Sequence, residues 1–523
     1  MRGLKPRAYN ILFHTHTVSG IVISAVLFVI FFAGAISLYK QEMYQWEDPT
    51  SRGVVPMAVD YERLIARMDS IKSGVADAHD IRVKMPTEAR PVYTLYALVE
   101  PDSAQAYFAT FLYNPVTDVV ADAAEGDTST VGETLYRLHF LDQIPMLIGR
   151  YLAGFVSLFF AFAVITGLLI HWKNIVSKFY AFSFKDVKKQ FWTNAHTVFG
   201  LIGLPFQLMY AITGAFYMLS LFVLVPTVVV LFKGDDHKLM EMIYPMEAFH
   251  AHDHGDEVEG HIHQEVSTLR ISDVLTKIQR EHKAYTISTL DIVNFGDEHA
   301  VLGAELVDAS GFNQNGLAVV DLHTGDYKLT IEPGEKGYIQ SILNGINLIH
   351  FGSFGGWFVK FVYFLLSMFS CFVIISGVLI WKEARNKPSY TEKQRRFHRR
   401  VTTVYLSICF SLLPATAVLF IAEQLLHGVA GRADIVNTVF FVSWLVLAAI
   451  GCFQKSEKQI TWINLMVGGV LGCLVPIANG WATGDWIWSS LRSLPYVFIT
   501  DVVWLMVGAS AIVLSGMMRK TVK

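Results

Sequence analysis

Long apolar runs alternate with polar segments along most of this chain. A bilayer's hydrocarbon core is crossed by about twenty apolar residues. Runs of that kind occur at 18–39, 146–170 (Arg150 its one charge), 197–232, 361–381, 401–422, 435–454, 459–484 and 502–518, and they predict eight membrane-spanning helices. Two polar insertions interrupt the series. In each, a stretch with helical spacing of apolar residues, YERLIARMDSIKSG or ISDVLTKIQREHK, precedes alternating stretches that predict strands. These are VYTLYALV and YFATFLYNPVTDVV in the first insertion, and HAVLGAELVD and GLAVVDLHTGDYKL in the second. The Asn/Asp-containing turns inside them predict hairpin tips. Each insertion therefore predicts a small α+β module.

The pattern is written twice. HTVSG at 16–20 returns as HTVFG at 196–200, and Gly34-Ala35 and Gly214-Ala215 follow their histidines by the same 18 residues. LHFLDQIPMLIGRYLAGFVSLFFAFAVITGLLIHWKN, from 138, returns as IHFGSFGGWFVKFVYFLLSMFSCFVIISGVLIWKEAR, from 349. Residues 1–390 thus read as a duplication of leading helix, module and returning helix. The segments are a first span (1–40), module 1 (41–145), a second span (146–172), a basic loop (173–195) and a third span (196–232). Module 2 (233–349), a fourth span (350–381), a second basic loop (382–400) and a four-helix extension (401–523) follow. The expected fold is a mostly α membrane protein with two small α+β modules outside the bilayer.

Charge adds orientation. Segment 171–195 holds five lysines and one acid, and 382–400 holds eight basic residues and two acids. Short basic loops stay on the cytoplasmic side, so both termini are expected there and the modules in the periplasm of a bacterial inner membrane. The first apolar run, at 22 residues, exceeds the 7–15 of a signal-peptide core and is expected to remain as a span. The four cysteines, all in apolar runs, suit packing rather than disulfides or cysteine-bound clusters. No Cys-x-x-Cys-His or G-x-G-x-x-G fingerprint occurs, which excludes covalent haem and offers no dinucleotide site. Nothing suggests a nucleic-acid partner; lipid is the expected surround.

Histidines carry the candidate chemistry, because ionisable groups at membrane depth are costly and usually functional. His16 and His196 fall at the cytoplasmic ends of spans one and three, and His139 and His350 at the outer ends of spans two and four. Imidazole is a standard axial ligand of haem iron, and a helical bundle can hold a macrocycle between facing side chains. Sorted by depth, His16 with His196 and His139 with His350 suit two bis-histidine haem b groups. Gly20 and Gly200, one turn past their histidines, would let a flat porphyrin or a neighbouring helix approach. The other reading is interfacial histidines beside packing glycines. His171 is an alternative ligand candidate at the inner site. His14 is also a candidate, although it points about 200° round the helix from His16 and cannot share its role. His398 and His427 read as loop residues. In the second module, HAHDHGDEVEGHIH places His250, His252, His254, His261 and His263 among acids, a composition suited to loose transition-metal binding.

FHTHTVSG, LHFLDQIPMLIGRYLAG, NAHTVFGLIGLPFQLMYAITG and IHFGSFGGWFVKFVYFLL, in this order and spacing, resemble the PepSY-associated transmembrane family, and the modules resemble its PepSY domains. The resemblance covers roughly 1–390. It implies an iron-regulated inner-membrane oxidoreductase that reduces ferric siderophore or ferric iron through two haems, with His16, His139, His196 and His350 as ligands. The electron donor would be a quinol or a cytoplasmic reductase. Rival expectations are a transporter of iron, siderophore or another ligand, and a non-catalytic PepSY regulator.

Overall fold

The computed structural model describes residues 5–54, 59–71, 80–99, 107–122, 131–145, 147–180, 188–249, 268–309, 312 and 315–520. In chain order the first half runs α1 (Pro6–Ser37), α2 (Lys40–Glu47), α3 (Tyr61–Ile71), β1 (Ile81–Lys84), β2 (Tyr93–Val99), β3 (Tyr107–Asn114), β4 (Val119–Asp122), α4 (Val131–His139), α5 (Ile148–His171) and α6 (Ile175–Phe179). The second half gives α7 (Lys188–Ile202), α8 (Leu204–Leu219), α9 (Leu221–Leu231), α10 (Asp236–Ile243), α11 (Ile271–Glu281), β5 (Thr286–Val293), β6 (Val301–Val307), β7 (Asn315–Asp321), β8 (Tyr327–Ile331), α12 (Tyr338–Phe351) and α13 (Gly356–Arg385). The extension adds α14 (Glu392–Phe410), α15 (Leu412–Leu425), α16 (Arg432–Cys452), α17 (Glu457–Thr483), α18 (Ile487–Ser493) and α19 (Pro495–Lys520). These elements form two compact units, one of residues 1–49, 129–223 and 350–523, the other of residues 50–128 and 224–349.

The first unit is a multi-pass membrane bundle. Among the described residues, seven helices are long and apolar enough to cross a bilayer, and α7 with α8, bent by 69°, adds an eighth when the pair is counted as one span. The third span was expected as one helix over 196–232, and the chain breaks it between Ile202 and Leu204 and again before Leu221. Pro205 explains the first break: it has no N–H for the Leu201 carbonyl and its ring crowds that turn. The first half has Ala25 at this place, and α1 runs unbroken for 32 residues. The extension is tied to α2 by buried polar contacts. Trp46 Nε1 donates to Asp501 Oδ1 (2.8 Å), Gln424 Nε2 donates to the Trp46 carbonyl (2.6 Å), and Asn479 Nδ2 donates to Asp501 Oδ2 (2.9 Å).

The second unit is one antiparallel sheet in the order β4-β3-β2-β1-β5-β6-β7-β8. Both hairpin tips form where the turn residues predicted them. The two modules are joined edge to edge through β1 and β5, with Val83 opposite Leu290 and Ile81 opposite Ile292. Helices α3 and α11 cover one face, packing Met68 and Ile278 among Leu95, Phe111, Leu290 and Leu302. Phe111 is fully buried there, so Phe111→Ala would cost about 3–5 kcal/mol.

Candidate functional site

The membrane unit gathers four histidines into two pairs, each with one ring from either half. His16 on α1 and His196 on α7 have ring centroids 6.2 Å apart, with planes at 79°. His139 and His350 have centroids 6.1 Å apart, with planes at 51°. The pairing is the one that depth along the spans predicts. One placement differs: His139 and His350 do not lie on the returning spans but near or at the C-terminal ends of the preceding helices, α4 and α12. The turns into α5 and α13 use left-handed residues, Leu141, Leu147 and Gly352, which end the earlier helices before the spans begin.

Every ring is fixed at Nδ1. His16 Nδ1 lies 2.9 Å from the Ala163 carbonyl, His196 Nδ1 2.9 Å from that of Val373, and His139 Nδ1 2.8 Å from that of Ile30. A carbonyl only accepts, so each of these nitrogens carries the proton and Nε2 keeps its lone pair. His350 Nδ1 meets Thr213 Oγ1 at 2.7 Å, and that hydroxyl already donates to the Met209 carbonyl (2.9 Å), so it accepts from the ring. Hydrogen-bonding the second ring nitrogen is the usual way of orienting a metal-binding imidazole. No described residue hydrogen-bonds Nε2 of any of the four.

Glycines seat three of the rings. A Cβ on Gly34 would lie 2.4 Å from His139 Nδ1, one on Gly167 3.1 Å from His16 Cε1, and one on Gly377 3.2 Å from His196 Cε1. Within the first half the contacts are reciprocal: the histidine of α1 rests on the glycine of α5, and that of α4 on the glycine of α1. In the second half only Gly377 seats a ring, and Gly214 meets Ser157 instead. Thr166 and Ser376, just before Gly167 and Gly377, put hydroxyls 3.4 and 3.2 Å from Nδ1 of His16 and His196. The repeated [Thr/Ser]-Gly was visible in the sequence, but only the packing assigns it a task. At Gly20 and Gly200 a Cβ would meet no described protein atom within 4 Å, so neither glycine packs against a described neighbouring helix.

Both pairs fit a metal macrocycle. A metal–imidazole bond is about 2 Å and the ring centre lies about 1 Å further, so two rings on opposite faces of one ion stand about 6 Å apart. Four neutral imidazoles with free Nε2 lone pairs are the right donors for haem iron. His139 and His350 line a cavity of about 510 Å³ with Phe31, Phe160, Tyr210 and Tyr217, a volume in the range of cofactor sites. His350 is buried, with the Tyr210 and Tyr217 rings 4.9 and 5.1 Å from it. The carbonyl that holds His139 is 14 residues along α1 from His16, which sets the two pairs about 21 Å apart along that helix.

Other histidines stand outside the pairs. His14 is exposed, its ring 6.0 Å from that of Phe13. His171 ends α5 one turn past Gly167, at the end of the bundle that holds His16. His398, expected in a loop, sits in α14 against Trp381, because the capping box at Thr391 starts that helix earlier than the apolar run does. His427 lies in a turn, as expected, with Nδ1 2.8 Å from Arg432 Nη1. The tract with His250, His252, His254, His261 and His263 lies outside the described residues. Among those described, no group of three or more His, Cys, Asp or Glu is placed to hold a metal ion. Cys371 and Cys409 are buried as expected, whereas Cys452 is exposed.

A duplicated membrane bundle with paired histidines defines the class. The family model for the PepSY-associated TM region matches residues 13–384, more than two-thirds of the chain, and the chain belongs to that family. No curated protein matches it. The C-terminal extension, with its four spans, lies outside the matched region.

Proposed function

We propose that the chain is an inner-membrane haem b electron-transfer protein. In this reading it takes electrons from a quinol or a cytoplasmic reductase and reduces ferric iron or a ferric siderophore on the periplasmic side. Haem, when bound, supplies reversible one-electron chemistry at its iron. The chain's residues do the rest. Ala163, Val373, Ile30 and Thr213 hold the proton on Nδ1, so that each Nε2 keeps a lone pair that can be given to a metal. Phe31, Phe160, Tyr210 and Tyr217 keep the second site apolar around the rings. Open space beside Gly20 and Gly200 leaves room for a flat ring at the first site. One electron per ferric ion suffices: Fe(III) becomes Fe(II), which hard oxygen ligands hold less tightly, and the iron is freed for uptake without hydrolysis.

The observation that carries this reading is the centroid spacing of 6.2 and 6.1 Å in two pairs with locked tautomers. Protein purified from haem-replete cells should contain about two haems per chain, with a b-type spectrum on reduction by dithionite. His139→Ala or His350→Ala should remove one haem and His16→Ala or His196→Ala the other. A colourless preparation would defeat the proposal in favour of transport or regulation.

A further inference from the structure

We infer that Arg137 and Arg150, braced by Asp142 at the cavity of the second histidine pair, form a clamp for carboxylates, namely the propionate side chains of the macrocycle. This rests on the haem reading above. Both arginines line the same cavity as His139 and His350. Arg137 Nε donates to Asp142 Oδ2 (3.0 Å) and Arg150 Nε to Asp142 Oδ1 (2.5 Å). Among the described residues, that arrangement occupies only the Nε position of each guanidinium. The Nη edges remain for a second partner, and an arginine edge matches a carboxylate in bidentate fashion. No other described acid pairs with either arginine, and each side chain is 46% exposed. One carboxylate between two guanidiniums leaves a positive charge at the cavity, and the other acid that lines it, Glu133, is paired with Lys40. Those two hydrogen bonds, that of Arg150 foremost, also hold the Asp142 carboxyl below its ordinary range, so the brace stays ionised at neutral pH.

The loop is shaped for this. Leu141 and Leu147 are left-handed, at φ 60° and 59°, a conformation that branched residues adopt only where the surroundings impose it. Gly149 permits the fold-back, since a Cβ there would sit 1.9 Å from the Leu141 carbonyl oxygen. The result sets Asp142 between the two arginines. The second half has no such device. Leu348 stands where Arg137 does, and Lys360, as far before Gly377 as Arg150 is before Gly167, is held by Glu42 at 2.5 Å. The clamp is therefore one-sided, as the two propionates on one edge of a porphyrin require.

The test uses the full chain carrying His16→Ala, so that only the second site is read. It is freed of haem and titrated with iron protoporphyrin or with the dimethyl ester of that compound, following the absorbance of the bound form. The free acid should bind about tenfold or more tighter than the ester. Arg137→Ala with Arg150→Ala should erase this preference by weakening the acid alone, and undiminished ester binding would certify that the variant is folded. If it does not fold, Arg150→Gln is read the same way. Equal binding of acid and ester by the parent chain would overturn the clamp while leaving the haem reading intact. Binding of neither would overturn both. Loss of ferric citrate binding with the porphyrin preference unchanged would assign the arginines to substrate and also refute the clamp.

Discussion

The two ends of the membrane unit treat the same duplication differently. At the His16–His196 pair, the halves match residue for residue: the Ala163 and Val373 carbonyls hold Nδ1, Thr166 and Ser376 add hydroxyls, and Gly167 and Gly377 seat the rings. At the His139–His350 pair the halves have parted. A backbone carbonyl, that of Ile30, holds one ring, and a side-chain hydroxyl, that of Thr213, holds the other. Thr213 occupies the place of Ala33, and Tyr210 that of Ile30, where its hydroxyl donates to the His350 carbonyl (2.8 Å). Gly34 touches a histidine, whereas Gly214 faces Ser157. Symmetry is kept where both sites need only a held imidazole. It is lost at the end that also has a large cavity with a charged lining.

The sharpest way to test that difference is to remove one hydroxyl at each end. Thr213→Val keeps the size of the side chain and deletes the one hydrogen-bond partner of the His350 ring among the described residues, so a loss of about 10–100-fold in haem affinity at that site is expected. Ser376→Ala leaves His196 its carbonyl partner and should change affinity at the other site by less than about threefold. Haem titration of the two purified variants decides it, and equal effects would mean that the ends are not differently built.

A smaller effect separates Gly34 from Gly214. A methyl at 34 would strike the His139 ring, which is itself held by the Ile30 carbonyl, so Gly34→Ala should weaken the second site by about tenfold. The same change at 214 meets Ser157 alone, its Oγ at 2.8 Å and its Cβ at an ordinary 3.4 Å, and the hydroxyl can rotate aside. Gly214→Ala should therefore retain its haem nearly at the parental level. Similar losses in both would refute the ring-seat role of Gly34.

Much of this was legible in the chain. Eight apolar runs gave the spans, and the return of His-xxx-Gly after 180 residues gave the duplication and, through depth, the partners in each pair. What stayed hidden depends on distances that spacing does not encode. The strand IRVK is too short to announce itself, and with TISTLDIV it makes the seam that joins two modules into one sheet. The carbonyls of Ile30, Ala163 and Val373 have no sequence signature, since any residue presents one. Gly34 was visible as a repeat mark, but its task belongs to a ring more than a hundred residues away. The Arg137–Asp142–Arg150 brace requires a turn whose left-handed residues are leucines, which no turn rule would pick.

The smallest expected difference lies in the sheet, at hairpin tips that the duplication also shares. Asn114 closes the β3–β4 tip by accepting from the Val116 and Thr117 amides (3.0 and 3.4 Å), and Asp321 closes the β7–β8 tip by accepting from those of His323 and Thr324 (2.8 and 2.9 Å). Burial by itself would raise the Asp321 carboxyl, but the two amides and Lys328, 3.0 Å away, outweigh it and bring the group down to about 2. A carboxylate whose folded value is depressed stabilises the fold above its ordinary range near 4 and loses that contribution as pH falls toward 2. The loss is about 1 kcal/mol at most by pH 3, given its partly solvated ion pair. Asn114 has no such proton to gain. Amide exchange in the full-length protein between pH 6 and 3, with the β3–β4 tip as internal reference, should therefore show protection at the β7–β8 tip falling selectively. Asp321→Asn should abolish that selectivity, and a parallel response of the two tips in the parent chain would show that the charged cap contributes nothing beyond the neutral one.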